Sequence, residues 1–305
     1  MDKILIVKDL SKYFGKTLAV DNISFSVGKG EIVGLLGPNG AGKTTTIQML
    51  LGTLIQSSGT IHYFGKDFAT HREEVLSKIN FCSSYIRLPW RMTVWENLEV
   101  MARLYEVTNR KARIDKLLES FELTEFKNQF TGDLSAGQNM RVILAKSFIN
   151  YPQLILLDEP TASLDPEIAQ KVREFLKIEQ KEFGVSMLLT SHNMAEVEEL
   201  ADKVIFLNKG QILAQNTPEH LASQIDITRV DLLILKDIER AAEILCEQGY
   251  SVGTNKKHLK VEAPQDQIAK ILTILSSSKI EYKEISIDKP DLEDFFLKMT
   301  RKESA

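Results

Sequence analysis

Gly37-Pro38-Asn39-Gly40-Ala41-Gly42-Lys43-Thr44-Thr45 is the stretch on which the reading of this 305-residue chain turns. It fits the pattern G-x-x-x-x-G-K-[ST], in which glycines let backbone N–H groups close around phosphates. Residues 31–36 (EIVGLL) before it read as a buried strand, and residues 43–51 (KTTTIQMLL) after it as a helix stopped by Gly52. Strand, loop and helix N-terminus in that order aim several N–H donors and a helix dipole at one point. Lys43 is placed to reach the terminal phosphates, and the Thr44 hydroxyl to ligate Mg²⁺.

The remaining composition bounds the class. A net charge of −4 with no basic stripe argues against nucleic acid as a partner. Cys82 and Cys246 stand far apart without a metal-ligand pattern, which suits two reduced structural thiols in a cytosolic protein. No apolar run approaches the roughly 20 residues of a membrane span, and the start, MDKILIVKDL, reads as an alternating strand rather than a signal peptide. Any membrane role is therefore expected to come through a separate subunit.

Strands are expected at 4–10 and 18–27 around the turn at Gly15-Lys16, and at 59–64. A capping box, Thr93 with Glu96, opens a helix, and amphipathic helices follow at 110–121 and 136–149. From Leu154 onward buried strand and helix alternate, which implies a parallel sheet flanked by helices, with a helical insert at about 85–150. Past Pro218 the order becomes strand-helix-strand-strand-helix-strand, which suggests a small ferredoxin-like α+β domain over 228–305, with the boundary at about 218–228.

The chemistry beyond the loop begins with Leu154-Ile155-Leu156-Leu157-Asp158-Glu159-Pro160. A buried strand delivers Asp158 at its tip, where it can hold Mg²⁺, and Glu159 beside it can polarise an attacking water. Leu134-Ser135-Ala136-Gly137-Gln138 lies just upstream; on its own it is a capping box at a helix start. In the order phosphate loop, LSAGQ, LILLDEP, however, the chain resembles the ATP-binding cassette (ABC) family over about residues 1–218. The resemblance implies an α/β fold, a P-loop NTPase with an antiparallel β subdomain and a helical insert. It also implies that Ser135, Gly137 and Gln138 of one subunit close over ATP held by another, Ala136 replacing a glycine.

Its other motifs follow one by one. Phe14 matches the aromatic on which adenine stacks, with Tyr13 as the neighbouring alternative; either could equally be packing in an edge strand. Ser163-Leu164-Asp165 matches the loop that crosses between subunits, and Asp165-Pro166 is also a plain helix start. His192, after the apolar strand VSMLLTS, matches the histidine that contacts the γ-phosphate. One position departs from the family. Where it carries a Mg²⁺-ligating glutamine, alignment on Met92-Thr93-Val94 places Ser84, and no glutamine occurs between Gln56 and Gln129. A serine hydroxyl can offer one oxygen at shorter reach.

Near the end, Pro290-Asp291-Leu292-Glu293-Asp294-Phe295-Phe296 resembles the ending of ABC ATPases that serve exporter-type membrane subunits, and is also a helix start with acids in its first turn. The resemblance implies a Mg²⁺-dependent ATPase subunit of a transporter, on the inner face of the cell membrane. Its copies would pair around ATP, and a membrane permease would dock at Tyr85-Ile86-Arg87-Leu88-Pro89-Trp90. Two rivals remain: a non-transport ABC ATPase acting on ribosomes or DNA, and a small-molecule kinase on the same loop.

Overall fold

The structure, a computed structural model, describes residues 2–226 and 228–302. The chain divides into two compact units, Met1–Thr217 and Pro218–Ala305.

The first unit opens with two long antiparallel strands, β1 (Lys3–Phe14) and β2 (Thr17–Gly28), joined at Gly15. The fully buried β3 (Ile32–Leu36) then runs into the glycine loop and helix α1 (Lys43–Leu50). Strands β4 (Ser58–Tyr63) and β5 (Lys66–Asp67) return to the first pair and give an antiparallel sheet of order β2-β1-β4-β5. Tyr63 ties that sheet to α1: its ring is wholly buried and its hydroxyl donates to the Leu50 carbonyl at 2.8 Å, so the one polar atom is satisfied.

A short helix α2 (Arg72–Leu76) leads to β6 (Ile79–Ser83) and then to the helical insert, α3 (Val94–Leu104), α4 (Arg110–Ser120) and α5 (Ala136–Ser147). The Thr93–Glu96 capping box forms at the start of α3, with both hydrogen bonds made. Strand and helix then alternate through β7 (Leu154–Asp158), α6 (Pro166–Phe183), β8 (Ser186–Thr190), α7 (Met194–Leu200) and β9 (Lys203–Asn208), before the edge strand β10 (Gln211–Asn216). The sheet order is β10-β9-β3-β8-β7-β6, parallel except for β10. Strands β3, β7 and β8 are buried at every residue, as unbroken apolar runs covered on both faces must be. Their carboxyl ends all carry candidate site residues, the usual place for a ligand in such a sheet.

The second unit contains α8 (Pro218–Ala222), β11 (Thr228–Ile234), α9 (Ile238–Glu247), β12 (Ser251–Asn255), β13 (His258–Ala263), α10 (Ile268–Ser277), β14 (Tyr282–Asp288) and α11 (Leu292–Lys302). Its sheet is antiparallel with order β12-β13-β11-β14, and α9 and α10 bury their apolar faces on β11 and β13. A short 3-10 turn at Gln265–Gln267 leads into α10. Residues 303–305 and 227, part of the expected 228–305 domain and its boundary, lie outside the described residues.

Candidate active site

The phosphate loop owes its shape to glycines at left-handed backbone positions. Gly37 has φ +152 and Gly42 φ +103, and a Cβ on Gly37 would fall 2.1 Å from the Leu207 carbonyl oxygen. No side chain fits there. Gly42 is the N-cap of α1 and, among the described residues, no side chain caps that first turn; Thr46 N–H returns to Gly42 O at 2.9 Å. Asn39, Gly40 and Thr44 are exposed, whereas Ala41 is buried and Gly37, Pro38 and Thr45 are partly so. Lys43 folds back on the loop, donating to the carbonyls of Gly37 (2.6 Å) and Pro38 (3.1 Å). Burial lowers its pKa, opposed by the negative charges of Glu159 and Asp158. The lysine therefore lies in the field of both acids while bonded to groups that a phosphate oxygen would outcompete.

Asp158 ends β7 almost fully buried and is held from both sides. Its register partner on β8, Thr190, donates to Oδ1 at 2.7 Å, and its partner on β6, Ser83, donates to Oδ2 at 3.3 Å. Glu159 follows with φ +54, a conformation non-glycine residues rarely adopt, and its N–H binds the Thr190 carbonyl (3.1 Å) and hydroxyl (3.2 Å). Its carboxylate meets His192 Nδ1 at 2.7 Å, and the His192 ring is otherwise open to solvent. Behind this pair lies Glu196, which is 2 % exposed and accepts from Thr161 Oγ1 and Ser191 Oγ, each at 2.7 Å. It braces the segments that follow Glu159 and precede His192. Lys43, Asp158, Glu159 and His192 are thus brought together.

The remaining candidates stand apart from that cluster. Ser135 caps α5, accepting from Gln138 N–H at 3.2 Å, and the Gln138 side chain accepts from Ser135 N–H at 2.8 Å. A Cβ on Gly137 would lie 3.4 Å from the Ser163 carbonyl, so the start of α5 rests on the loop that leads to Asp165. Asp165 caps α6 by accepting from Ile168 N–H at 3.1 Å, with Pro166 in the first turn. Phe14 is 49 % exposed, with Lys12 Nζ 5.3 Å from its ring centre, and Tyr13 is equally open. Ser84 is exposed one residue beyond β6 and makes no hydrogen bond to Asp158; Ser83 does. Motif reading passed over Ser83, Thr190 and Glu196. The signal for the first two was register, since each ends a strand flanking β7.

A glycine loop closing on a helix N-terminus, with its lysine facing two strand-end acids and one of those acids holding a histidine, defines a phosphate-loop nucleoside triphosphatase. Residues 20–162 match the family model described as ABC transporter. The bacitracin transport ATP-binding protein BcrA of Bacillus licheniformis is 31% identical over 306 residues, covering 98% of both chains. Nod factor export ATP-binding protein I of Rhizobium sp. (strain N33) is 36% identical over 74% of this chain and 76% of its own. Among solved structures, the dimeric bacterial ABC transporter cassette MJ0796 aligns with TM-score 0.65 and 25% identity, over 70% of this chain and 98% of that one. The chain belongs to the ATP-binding proteins of ABC transporters, and it is an ATP-binding, ATP-hydrolysing subunit.

Proposed function

We propose that this subunit drives export through a separate integral-membrane permease, with two copies pairing around ATP. The catalytic part of the reading is carried by the 2.7 Å contact between Glu159 and His192 at the mouth of the phosphate loop. Glu159 is the general base that takes a proton from the attacking water; His192 holds its carboxylate in place and lies where it can also reach the γ-phosphate. Phe14 offers a half-open ring to adenine, and the loop from Gly37 to Thr45 cradles the phosphates with Lys43 on the terminal ones.

Mg²⁺ fits the donors present. The Thr44 hydroxyl is exposed at the start of α1, and Asp158 is oriented by two hydroxyl donors, with no cationic side chain bonded to it among the described residues. Ser84 is a third candidate oxygen. Among the described residues no cluster of three or more His, Cys, Asp or Glu forms a metal cage. A Mg²⁺ ion here would complete its shell with phosphate oxygens and water. When bound, it would neutralise charge on the triphosphate.

In the pair, Ser135, Gly137 and Gln138 of one copy meet the triphosphate of the other, and the segment through Asp165 runs between them. The permease docks at the loop after β6, where Tyr85 is 83% and Trp90 63% exposed. Among the described residues no helix is long and apolar enough to cross a membrane. The chain would sit peripherally on the inner face through its partner. We read the expected 228–305 stretch as a ferredoxin-like accessory domain, because the strand order of its described residues follows the split β-α-β pattern. Export is supported by transport and export relatives that align over most of the chain. The test is fractionation of cells expressing the tagged full chain. Recovery with membranes, together with a co-purifying integral-membrane protein, is expected; an ATPase found only in the soluble fraction would contradict the proposal.

A further inference from the structure

A cavity of about 760 Å³ lies at the opposite end of the sheet from the phosphate loop. Its wall includes Lys29, Gln153 and Val185, which immediately precede or lie near the amino ends of β3, β7 and β8. It shares no residue with the nucleotide site. The size suits a small organic ligand, for which pockets run from about 300 to 1,000 Å³.

Three features describe the occupant. Aromatic rings line it: Phe64, with Tyr151 and Phe183, which are 59% and 56% exposed. Rings left open at a cavity suit a flat apolar body. Cations dominate, since Lys3, Lys29, Arg113 and Lys116 face only Asp2 and Glu179. The surplus of two positive charges favours a ligand of one or two negative charges over a polyphosphate. Finally, Arg113 is only 5% exposed; it donates to the Phe148 carbonyl and lies 3.9 Å from the Tyr151 ring centre, yet its Nε is buried without a partner. That N–H is closed off from the cavity, so Arg113 contributes its buried positive charge to the wall rather than an open donor. Glu179, 6% exposed in the same wall, makes no ion pair with it among the described residues, and burial raises the Glu179 pKa.

We propose that this cavity binds a small amphipathic organic anion, an aromatic or alkyl body carrying a carboxylate, with Arg113 and Lys116 on the charge and Tyr151 and Phe183 on the body. Lys116 Nζ stands 5.1 Å from the Phe183 ring, so charge and apolar contact are adjacent at the opening. The proposal does not rest on export, dimerisation or hydrolysis.

The test is calorimetric titration of the full chain with 1-naphthoate, with and without saturating ADP. One saturable site that ADP does not displace is expected. Binding should be about tenfold weaker for the neutral analogue 1-naphthalenemethanol and in Lys116→Ala, Phe183→Ala and Arg113→Met. Lys43→Ala should bind the probe like the parent. Arg113→Met is buried and could fail to fold, but the two exposed positions keep the test decisive. Absence of saturable binding, displacement by ADP, or equal affinity for the alcohol would overturn the proposal. So would undiminished binding in both Lys116→Ala and Phe183→Ala.

Discussion

The N-termini of α1 and α5 are finished in opposite ways. At α1 the cap is a glycine in the left-handed region with no side-chain bond, and the first-turn donors are left for something outside the chain. At α5 the cap is a complete box in which Ser135 and Gln138 satisfy each other's backbone N–H groups. The first terminus is preorganised for phosphate. The second has its cap satisfied within one chain, with the Ser135 O–H still free to donate, because Ser135 Oγ only accepts in the box. An N-cap bond is worth about 1 kcal/mol and a hydrogen bond to a charged group about 1.5–3, so a γ-phosphate met there would add to the cap rather than replace it.

Several substitutions sharpen that contrast. The largest effects fall on the α1 side, where Lys43→Ala and Glu159→Gln should each lower phosphate release on the order of 100-fold or more. On the α5 side, Ser135→Ala should also impair hydrolysis, yet leave ATP affinity of the isolated chain unchanged by fluorescence titration. If Ser135→Ala weakened that affinity as strongly as Lys43→Ala, both termini would serve one nucleotide within one chain. The same substitution should cost about 1 kcal/mol in thermal or urea unfolding, because it removes a working cap.

Smaller effects belong to the residues that hold Asp158. Thr190→Val should raise the Mg²⁺ concentration for half-maximal hydrolysis about tenfold, and Ser83→Ala less, since its bond is longer (3.3 Å against 2.7 Å). Ser84→Gln should shift the same curve only a few-fold; no shift at all would remove Ser84 from the metal set.

The smallest expected effect lies at the far cavity. Burial raises the Glu179 pKa above its ordinary 4.5, so the folded state prefers the protonated form. The stability this carboxyl gives is present below that ordinary value and is lost as pH rises through the folded one. Glu179→Gln should therefore be more stable than the parent at pH 7, with the gap closing below pH 4.5; a gap constant with pH would contradict the burial argument.

How much of this was legible in the sequence depended on whether a residue's role is local. The phosphate loop, the acids at Asp158-Glu159 and the caps at Thr93, Ser135 and Asp165 could be read directly, since spacing along the chain sets each of them. The clamp on Asp158 could not, because Ser83 and Thr190 reach it across strands about 75 and 32 residues away. Alignment alone pointed to Ser84, whereas pairing of β6 with β7 puts Ser83 beside the carboxylate. The edge strand β10 was not expected either, since QILAQN is short and only partly buried.

The most direct measurement is the mass of the Glu159→Gln protein by light scattering in Mg-ATP. Hydrolysis blocked with both termini intact should give a particle of twice the chain mass, which returns to one chain mass when Ser135→Ala is added. A Glu159→Gln protein that binds ATP yet stays at one chain mass, even beside its membrane partner, would contradict the pairing of α1 and α5 across two copies.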